Sequence, residues 1–194
     1  MTTSTKDRIL DTTAEMFRRY GYTGTGLKQI VQKANAPFGS LYHHFPGGKE
    51  ELGAEVIRRS GRMYQDLVTA IFDASPTIDS SLDNVFSGAA AVLVATDYAD
   101  ACPIATVALE VASTNEPLRQ ATADVFEAWI AAATDSFTAH GIAAPKAREL
   151  AIGMIAALEG AFVLARATRS TEPMDVAGAM ASAALKAALQ ESRG

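Results

Sequence analysis

The chain has 194 residues, a formal net charge of −5 and 48% hydrophobic residues, with few aromatics. That length supports one large or two small cored domains, and that charge excludes a uniformly basic nucleic-acid binder. Cys102 is the only cysteine, which excludes an intrachain disulfide and fits a reducing cytoplasm.

No uninterrupted apolar run reaches the roughly 18–20 residues of a membrane span. The first residues, MTTSTKDRILD, lack the apolar stretch of a secretory signal. The charge is uneven along the chain. Residues 1–65 hold ten Lys or Arg against six acids, and the remainder holds seven against sixteen. A basic head followed by an acidic body suggests that one end meets a polyanion.

Ser4-Thr5-Lys6-Asp7 has the S-x-x-D form of a capping box and predicts a helix start. Leu10, Ala14 and Phe17 follow at helical spacing, and Gly21 supplies the stop. Thr25 is expected to cap a short second helix carrying Leu27, Ile30, Val31 and Ala34. Asn35 can take the left-handed conformation of a tight turn, and Pro37 fits the first turn of a third helix, residues 38–45. Pro46-Gly47-Gly48 stops that helix. Two short helices joined by a tight turn, after a longer one, is helix-turn-helix geometry.

A fourth helix is expected from about Lys49 to Phe72, with Glu50 and Glu51 in its first turn. At 1.5 Å per residue it spans roughly 35 Å, enough to connect a small head to a larger body. Five more are expected at about 80–97, 103–113, 116–140, 144–168 and 173–191. No strand-like alternation or internal repeat is found. The expected fold is all-α with about nine helices: a helix-turn-helix domain, 1–48, and a helical-bundle domain, 49–194. Residues 175–189, DVAGAMASAALKAAL, are rich in small side chains. They suit a close helix–helix contact, within the chain or between two copies, or a surface helix of good helix formers.

Gly39 to Phe45, GSLYHHF, carries the densest polar chemistry. On a helix, Leu41 and Phe45 face the core together. Gly39, Ser40 and His43 then face outward, with Tyr42 near the boundary. Ser40 can bond a base edge or a phosphate, Gly39 permits close backbone approach, and Tyr42 and His43 offer donors to phosphate. Thr25 and Lys28, opening the second helix, are placed to hold a neighbouring phosphate.

His43 and His44 are adjacent, so they point about 100° apart on a helix and do not readily share an ion. The only other histidine is His140, near a helix C-terminus that favours its charge. No metal or cofactor is expected, and His44 is expected to be partly buried. There is no G-x-S-x-G, no Walker-type loop, and no G-x-G-x-x-G followed by a strand, so no enzyme is expected. Cys102 stands at a helix start, where a thiol pKa can fall. Redox sensing and a plain buried cysteine both remain open there.

Taken together, Ile9-Leu10, Ala14, Phe17, Gly21-Tyr22, Thr25, Ile30, Ala34, Gly39 to Phe45 and Lys49-Glu50-Glu51-Leu52 resemble the TetR/AcrR family of bacterial transcriptional regulators. The extra glycine in Phe45-Pro46-Gly47-Gly48-Lys49, with Cys102-Pro103 and Leu109-Glu110-Val111-Ala112, resembles its LmrA/YxaF-like branch. The likeness is strong over the first fifty residues and weaker in the body. It implies a homodimer that binds a palindromic double-stranded DNA operator through two heads, with no membrane involvement. It also implies repression relieved by a small-molecule effector, lipophilic and often aromatic in this branch. Lys49 resembles the phosphate-clamping lysine of the family. Pro37 stands where a capping Ser or Thr is usual, and Phe38 where a polar or basic residue is frequent. Phe38 could touch a thymine methyl or simply pack.

An effector pocket should be mostly apolar with a few polar groups. The candidates are Tyr64, Leu67, Phe86, Tyr98, Val107, Glu110, Phe126, Trp129, Ile130, Met154, Leu158 and Phe162, with Phe72 beside them. Each also fits plain bundle core. Glu110 and Glu159 interrupt apolar stretches (VALEVA, AALEGA), and a buried acid needs a partner. That partner could be a cationic or hydroxylated ligand, or an arginine such as Arg166. The dimer is expected to form through the last two helices, at Ile152, Ile155, Ala156, Phe162, Met180, Ala184 and Leu185. The alternatives to a regulator are a small-molecule binding protein without an operator, an enzyme on a helical bundle, and a redox sensor through Cys102.

Overall fold

The structure, a computed structural model, describes residues 4–192. Among the described residues there are nine α-helices and no strand: α1 Thr5–Tyr20, α2 Leu27–Lys33, α3 Phe38–His44, α4 Gly48–Ala74, α5 Ile78–Ala95, α6 Pro103–Val111, α7 Glu116–Ala139, α8 Ala144–Thr168 and α9 Glu172–Glu191. The all-α expectation holds, and the helix ends lie close to those read from caps and periodicity.

Local chemistry explains the first three helices. Ser4 caps α1, its hydroxyl accepting the Asp7 N–H at 3.1 Å. Gly21 closes α1 at φ +69° and returns its N–H to the Phe17 carbonyl. The cap of α2 differs from expectation. Gly26, not Thr25, is the N-cap, and the Gln29 side chain accepts the Gly26 N–H at 3.1 Å. Thr25 turns inward instead and donates its hydroxyl to the Gly21 carbonyl at 2.7 Å. Asn35 adopts φ +48° in the tight turn, and Pro37 sits at the N-cap of α3 rather than inside its first turn.

The chain forms two compact units. One comprises the described residues up to Met63 with Ala101–Val125. The other comprises Tyr64–Asp100 with the described residues from Phe126 onward. By contacts, therefore, the first unit extends well past residue 48: it takes in the first half of α4, all of α6 and the start of α7. Periodicity along one segment does not reveal such a division, because it depends on which distant segments meet.

In the first unit Ile9, Phe17, Ile30, Leu41, Phe45, Leu52 and Ile57 are almost wholly buried. Each contributes about 1.5–3 kcal/mol of hydrophobic stabilisation. α6 packs on α1. α4 approaches α7 so closely that a Cβ on Gly61 would lie 2.6 Å from both methyl carbons of Val125.

In the second unit α9 packs on both α5 and α8. Ala177, Gly178, Ala181, Ser182, Leu185 and Ala188 form the buried face of α9. A Cβ on Gly178 would lie 3.0 Å from the Phe86 Cβ. Part of the small-residue stretch thus serves a close contact within the chain. The opposite face of α9 carries the exposed Val176 and Met180. α8 is long and apolar enough, by length and composition, to cross a membrane. Counting uninterrupted runs misses this, because Glu159 and Arg166 break the apolar stretch.

Candidate nucleic-acid interface

α3 is anchored from below. Leu41 and Phe45 are buried in the head, as their spacing predicts. The turn that presents α3 is held from α1: Arg8 donates from Nε to the Ala34 carbonyl at 3.1 Å and from Nη2 to the Asn35 carbonyl at 3.3 Å. On the outer surface Gly39 and His43 are exposed and Ser40 is half-buried. Phe38 and Tyr42, 44% and 47% exposed, meet edge to face with centroids 5.7 Å apart. Tyr42 thus stands in solvent rather than at the boundary. α3 therefore exposes an aromatic pair and an imidazole, with a half-buried hydroxyl at Ser40. His44 is half-buried, its ring 5.0 Å from that of His43.

The two helix-start sites differ. Lys28 on α2 is exposed, whereas Thr25 is fully buried with its hydroxyl already engaged. Lys49, half-buried at the start of α4, places Nζ 4.3 Å from the centroid of the Tyr22 ring. This is cation–π distance. Burial lowers the Lys49 pKa from its ordinary value, and the nearby Glu110 carboxylate opposes that shift. Burial raises the Tyr22 pKa, with Glu50 adding to it.

Several head cations are engaged internally. Arg59 on α4 reaches Asp7 at 3.2 Å and Asp11 at 3.0 Å, pinning α4 to α1. Lys33 pairs with Glu15 at 2.7 Å. The positive excess counted along residues 1–65 is thus partly consumed by helix–helix pairs.

Glu110 has a role that its candidate place in an effector pocket did not anticipate. From α6 it accepts the backbone N–H of Tyr22 at 2.9 Å and of Thr23 at 2.7 Å. Its carboxylate fills the space where a side chain on Gly21 would go, 1.8 Å from that Cβ position. The isolated acid in VALEVA does need a partner, and that partner is the loop between α1 and α2.

Comparison with known proteins agrees with this geometry. The family profile described as "Bacterial regulatory proteins, tetR family" matches residues 9–56. The profile described as "Transcriptional regulator LmrA/YxaF-like, C-terminal domain" matches residues 80–180, more than half of the chain. The chain belongs to the TetR family of bacterial transcriptional regulators. Among relatives of this TetR-family protein is the HTH-type transcriptional regulator YxaF of Bacillus subtilis, 31% identical over 87% of this chain and 88% of its own. The HTH-type transcriptional regulator LmrA of the same organism is 27% identical over 87% and 90%. The crystal structure of regulatory protein TetR from Rhodobacter sphaeroides shares the fold at a TM-score of 0.82. It is 20% identical, covering 92% of this chain and 97% of that one.

The body of this TetR-family regulator sorts its candidate pocket residues. Phe86 and Met154 are buried in the core of the second unit, and Phe72, Tyr98, Ile130, Leu158 and Phe162 pack against it half-buried. Trp129 meets Tyr64 and Phe126 edge to face, at 6.5 and 5.7 Å between centroids. Leu67 is exposed. Val107 belongs to the first unit, where it is fully buried. Arg166 does not stand ready for a ligand; it donates to the carbonyls of Tyr98 and Ala99, each at 3.2 Å. A cleft of about 490 Å³ lies in the head, lined by Met16, Tyr20, Gly24, Gln29, Gln32 and Lys33, away from these residues in sequence.

The candidate dimer residues also divide. Ile152, Ala156, Met180 and Ala184 are exposed, and Ile155 and Phe162 are half-buried. Leu185 is completely buried in the core, so it is corrected to a packing residue. Periodicity alone could not say which apolar face of α9 turns inward. Cys102 is buried at the N-cap of α6. Among the described residues, no cluster of three or more His, Cys, Asp or Glu is arranged to hold a metal.

Proposed function

We propose that this TetR-family regulator is a dimeric repressor that reads a palindromic operator through α3 and leaves it when a small lipophilic effector binds the body. The observation that carries this is α3, fixed by the buried Leu41 and Phe45, which leaves Phe38, Gly39, Tyr42 and His43 exposed and Ser40 half-buried. That mixture can read base edges, thymine methyls and phosphates from a major groove. Lys28 contributes a phosphate contact, Lys49 a second from its seat on Tyr22, and Thr25 positions the loop before α2 from inside. The DNA-reading role belongs to residues 1–48 and the effector and dimer roles to the rest.

The half-buried aromatics Tyr64, Phe126 and Trp129 support an effector site for a flat apolar molecule, with Leu158 and Phe162 as further lining. The exposed apolar residues of α8 and α9 support a two-fold interface between copies. Release works as a population shift: the effector binds more tightly to a state in which the paired heads no longer match successive grooves. The protein acts in the cytoplasm on double-stranded DNA, and regulation rather than catalysis is its role. Fluorescence anisotropy on duplexes selected from a random pool, at two salt concentrations, tests this. Sequence-selective binding by a dimer is expected. Binding that ignores sequence and vanishes with salt would refute the operator reading.

A further inference from the structure

Glu110 ties the C-terminal end of α6 to the head loop. The N-terminal end of α6 is preceded by the segment 96–102, whose backbone is unusual. Asp97 and Tyr98 lie at φ +52° and +58° in succession. Side chains crowd the carbonyl in this left-handed region, so two such non-glycine residues in a row must be held by their surroundings.

The hold comes from the C-terminal end of α8. Arg166 donates to the carbonyls of Tyr98 and Ala99. Arg169 pairs with the Asp97 carboxylate and lies 5.5 Å from the centroid of the Tyr98 ring. Arg169 is itself left-handed, at φ +50°, as the C-cap of α8. The Tyr98 ring packs against the core of the second unit. The chain passes from one compact unit to the other three times: between Met63 and Tyr64, between Asp100 and Ala101, and between Val125 and Phe126. The first and third passages lie inside α4 and α7. Only the second lies outside a helix.

We propose that the segment Asp97–Ala99 is a strained latch, held shut by Arg166 and Arg169, and that opening it gives the start of α6 a second conformation with lower affinity for DNA. The latch itself stands on the clamp geometry; its effect on DNA rests on the regulator reading above. An arginine pair at the end of α8 is thereby made a determinant of the regulator's basal state, independent of any effector.

Hydrogen exchange read by mass spectrometry on the full chain tests the latch. Four proteins are compared: wild type, the Arg166→Ala/Arg169→Ala double variant, Arg169→Ala and Asp97→Asn. Arg148→Ala, elsewhere on α8 and paired with Glu127, is the control. The double variant should exchange at least tenfold faster across residues 96–104, with α5 and the rest of α8 unchanged. Arg169 is a surface side chain, so Arg169→Ala keeps the fold and should accelerate the same amides at least threefold. Asparagine tolerates the left-handed region but loses the charge that Arg169 pairs with, so Asp97→Asn should accelerate the same amides, by less than Arg169→Ala. Unchanged exchange at 96–104 in both arginine variants overturns the latch.

The DNA arm uses duplexes that the wild type selects from a random pool. Arg169→Ala should bind them at least threefold more weakly. Faster loop exchange with unchanged DNA affinity overturns the coupling. If the wild type selects no duplex, the operator reading falls, and loop exchange alone decides the latch.

Discussion

Glu110 accepts the backbone N–H of Thr23 at 2.7 Å, joining α6 to the loop that ends α1 and begins α2. The Tyr22 N–H adds a second bond at 2.9 Å. Bonds from neutral donors to a carboxylate are among the stronger ones a protein makes. Glu110→Ala leaves two N–H groups without this partner and should destabilise the chain by about 1–3 kcal/mol. Glu110→Gln keeps one acceptor oxygen and should cost less. Gly21→Ala should be severe, because its Cβ would lie 1.8 Å from Oε1 at a positive φ. In the Glu110→Ala background that clash is relieved while the φ strain remains. A double-mutant cycle by urea unfolding should therefore show strong coupling; simple additivity would refute the contact.

DNA binding separates the cations from the readers. Lys28 is exposed on α2, and the proposed role gives it a phosphate contact without base information. Lys28→Ala should weaken all duplexes alike and reduce the salt slope by about 1. Tyr42→Ala removes an exposed ring on α3 that meets Phe38 edge to face. It should cost about 1–3 kcal/mol on the preferred duplex and flatten discrimination at the contacted position. Titration of labelled duplexes at several salt concentrations distinguishes the two. A uniform loss for Tyr42→Ala, with preference intact, would place Tyr42 on phosphate instead.

Asp7 contributes to the acid sensitivity of the head. The Ser4 hydroxyl donated to its carboxylate lowers the Asp7 pKa from its ordinary 3.8, with burial opposing and Arg59 and Lys6 assisting. A lowered folded pKa means the unfolded chain binds more protons, so stability rises with pH through that window. The contribution is present above pH 3.8 and is lost as pH falls through the lower folded value. Ser4→Ala should return the Asp7 carboxyl toward 3.8 and reduce this acid sensitivity. Carboxyl carbon chemical shifts across a pH titration measure it directly. A titration unaffected by Ser4→Ala would show that Arg59 and Lys6, not the Ser4 hydroxyl, set the shift.

Local grammar carried most of the fold. The Ser4 cap, the Gly21 stop, the Asn35 turn and the Leu41–Phe45 spacing are contacts within a few residues, and sequence spacing determines them. What stayed illegible depends on distant segments. Glu110 was visible as an isolated acid, yet its partner lies 88 residues away. Arg166 suits an acid by charge yet serves two carbonyls, a target with no sequence signature. Thr25 has the chemistry of a cap yet bonds the Gly21 carbonyl, and Gly26 takes the N-cap, its N–H donated to Gln29. Leu185 and Met180 share one helix and one chemistry, and only the packing of α9 on α5 and α8 separates them.

That separation gives the test of self-association. Met180 is 67% exposed on α9, and Ile152, Val163, Leu164 and Val176 are also large apolar side chains left in solvent on α8 and α9. Water contact over such a face is unfavourable, and a second copy would remove it. Met180→Arg alters no buried contact of the folded chain, so thermal stability of the isolated chain should change little. Across a two-fold interface the same change sets arginines of both copies against an apolar face at once. Met180→Arg and Ala184→Arg should therefore sediment as monomers and lose DNA affinity, if the proposed dimer binds through both heads jointly. Leu185→Arg, fully buried, should instead prevent folding. A Met180→Arg protein that sediments like the wild type would take the interface off this face of α9.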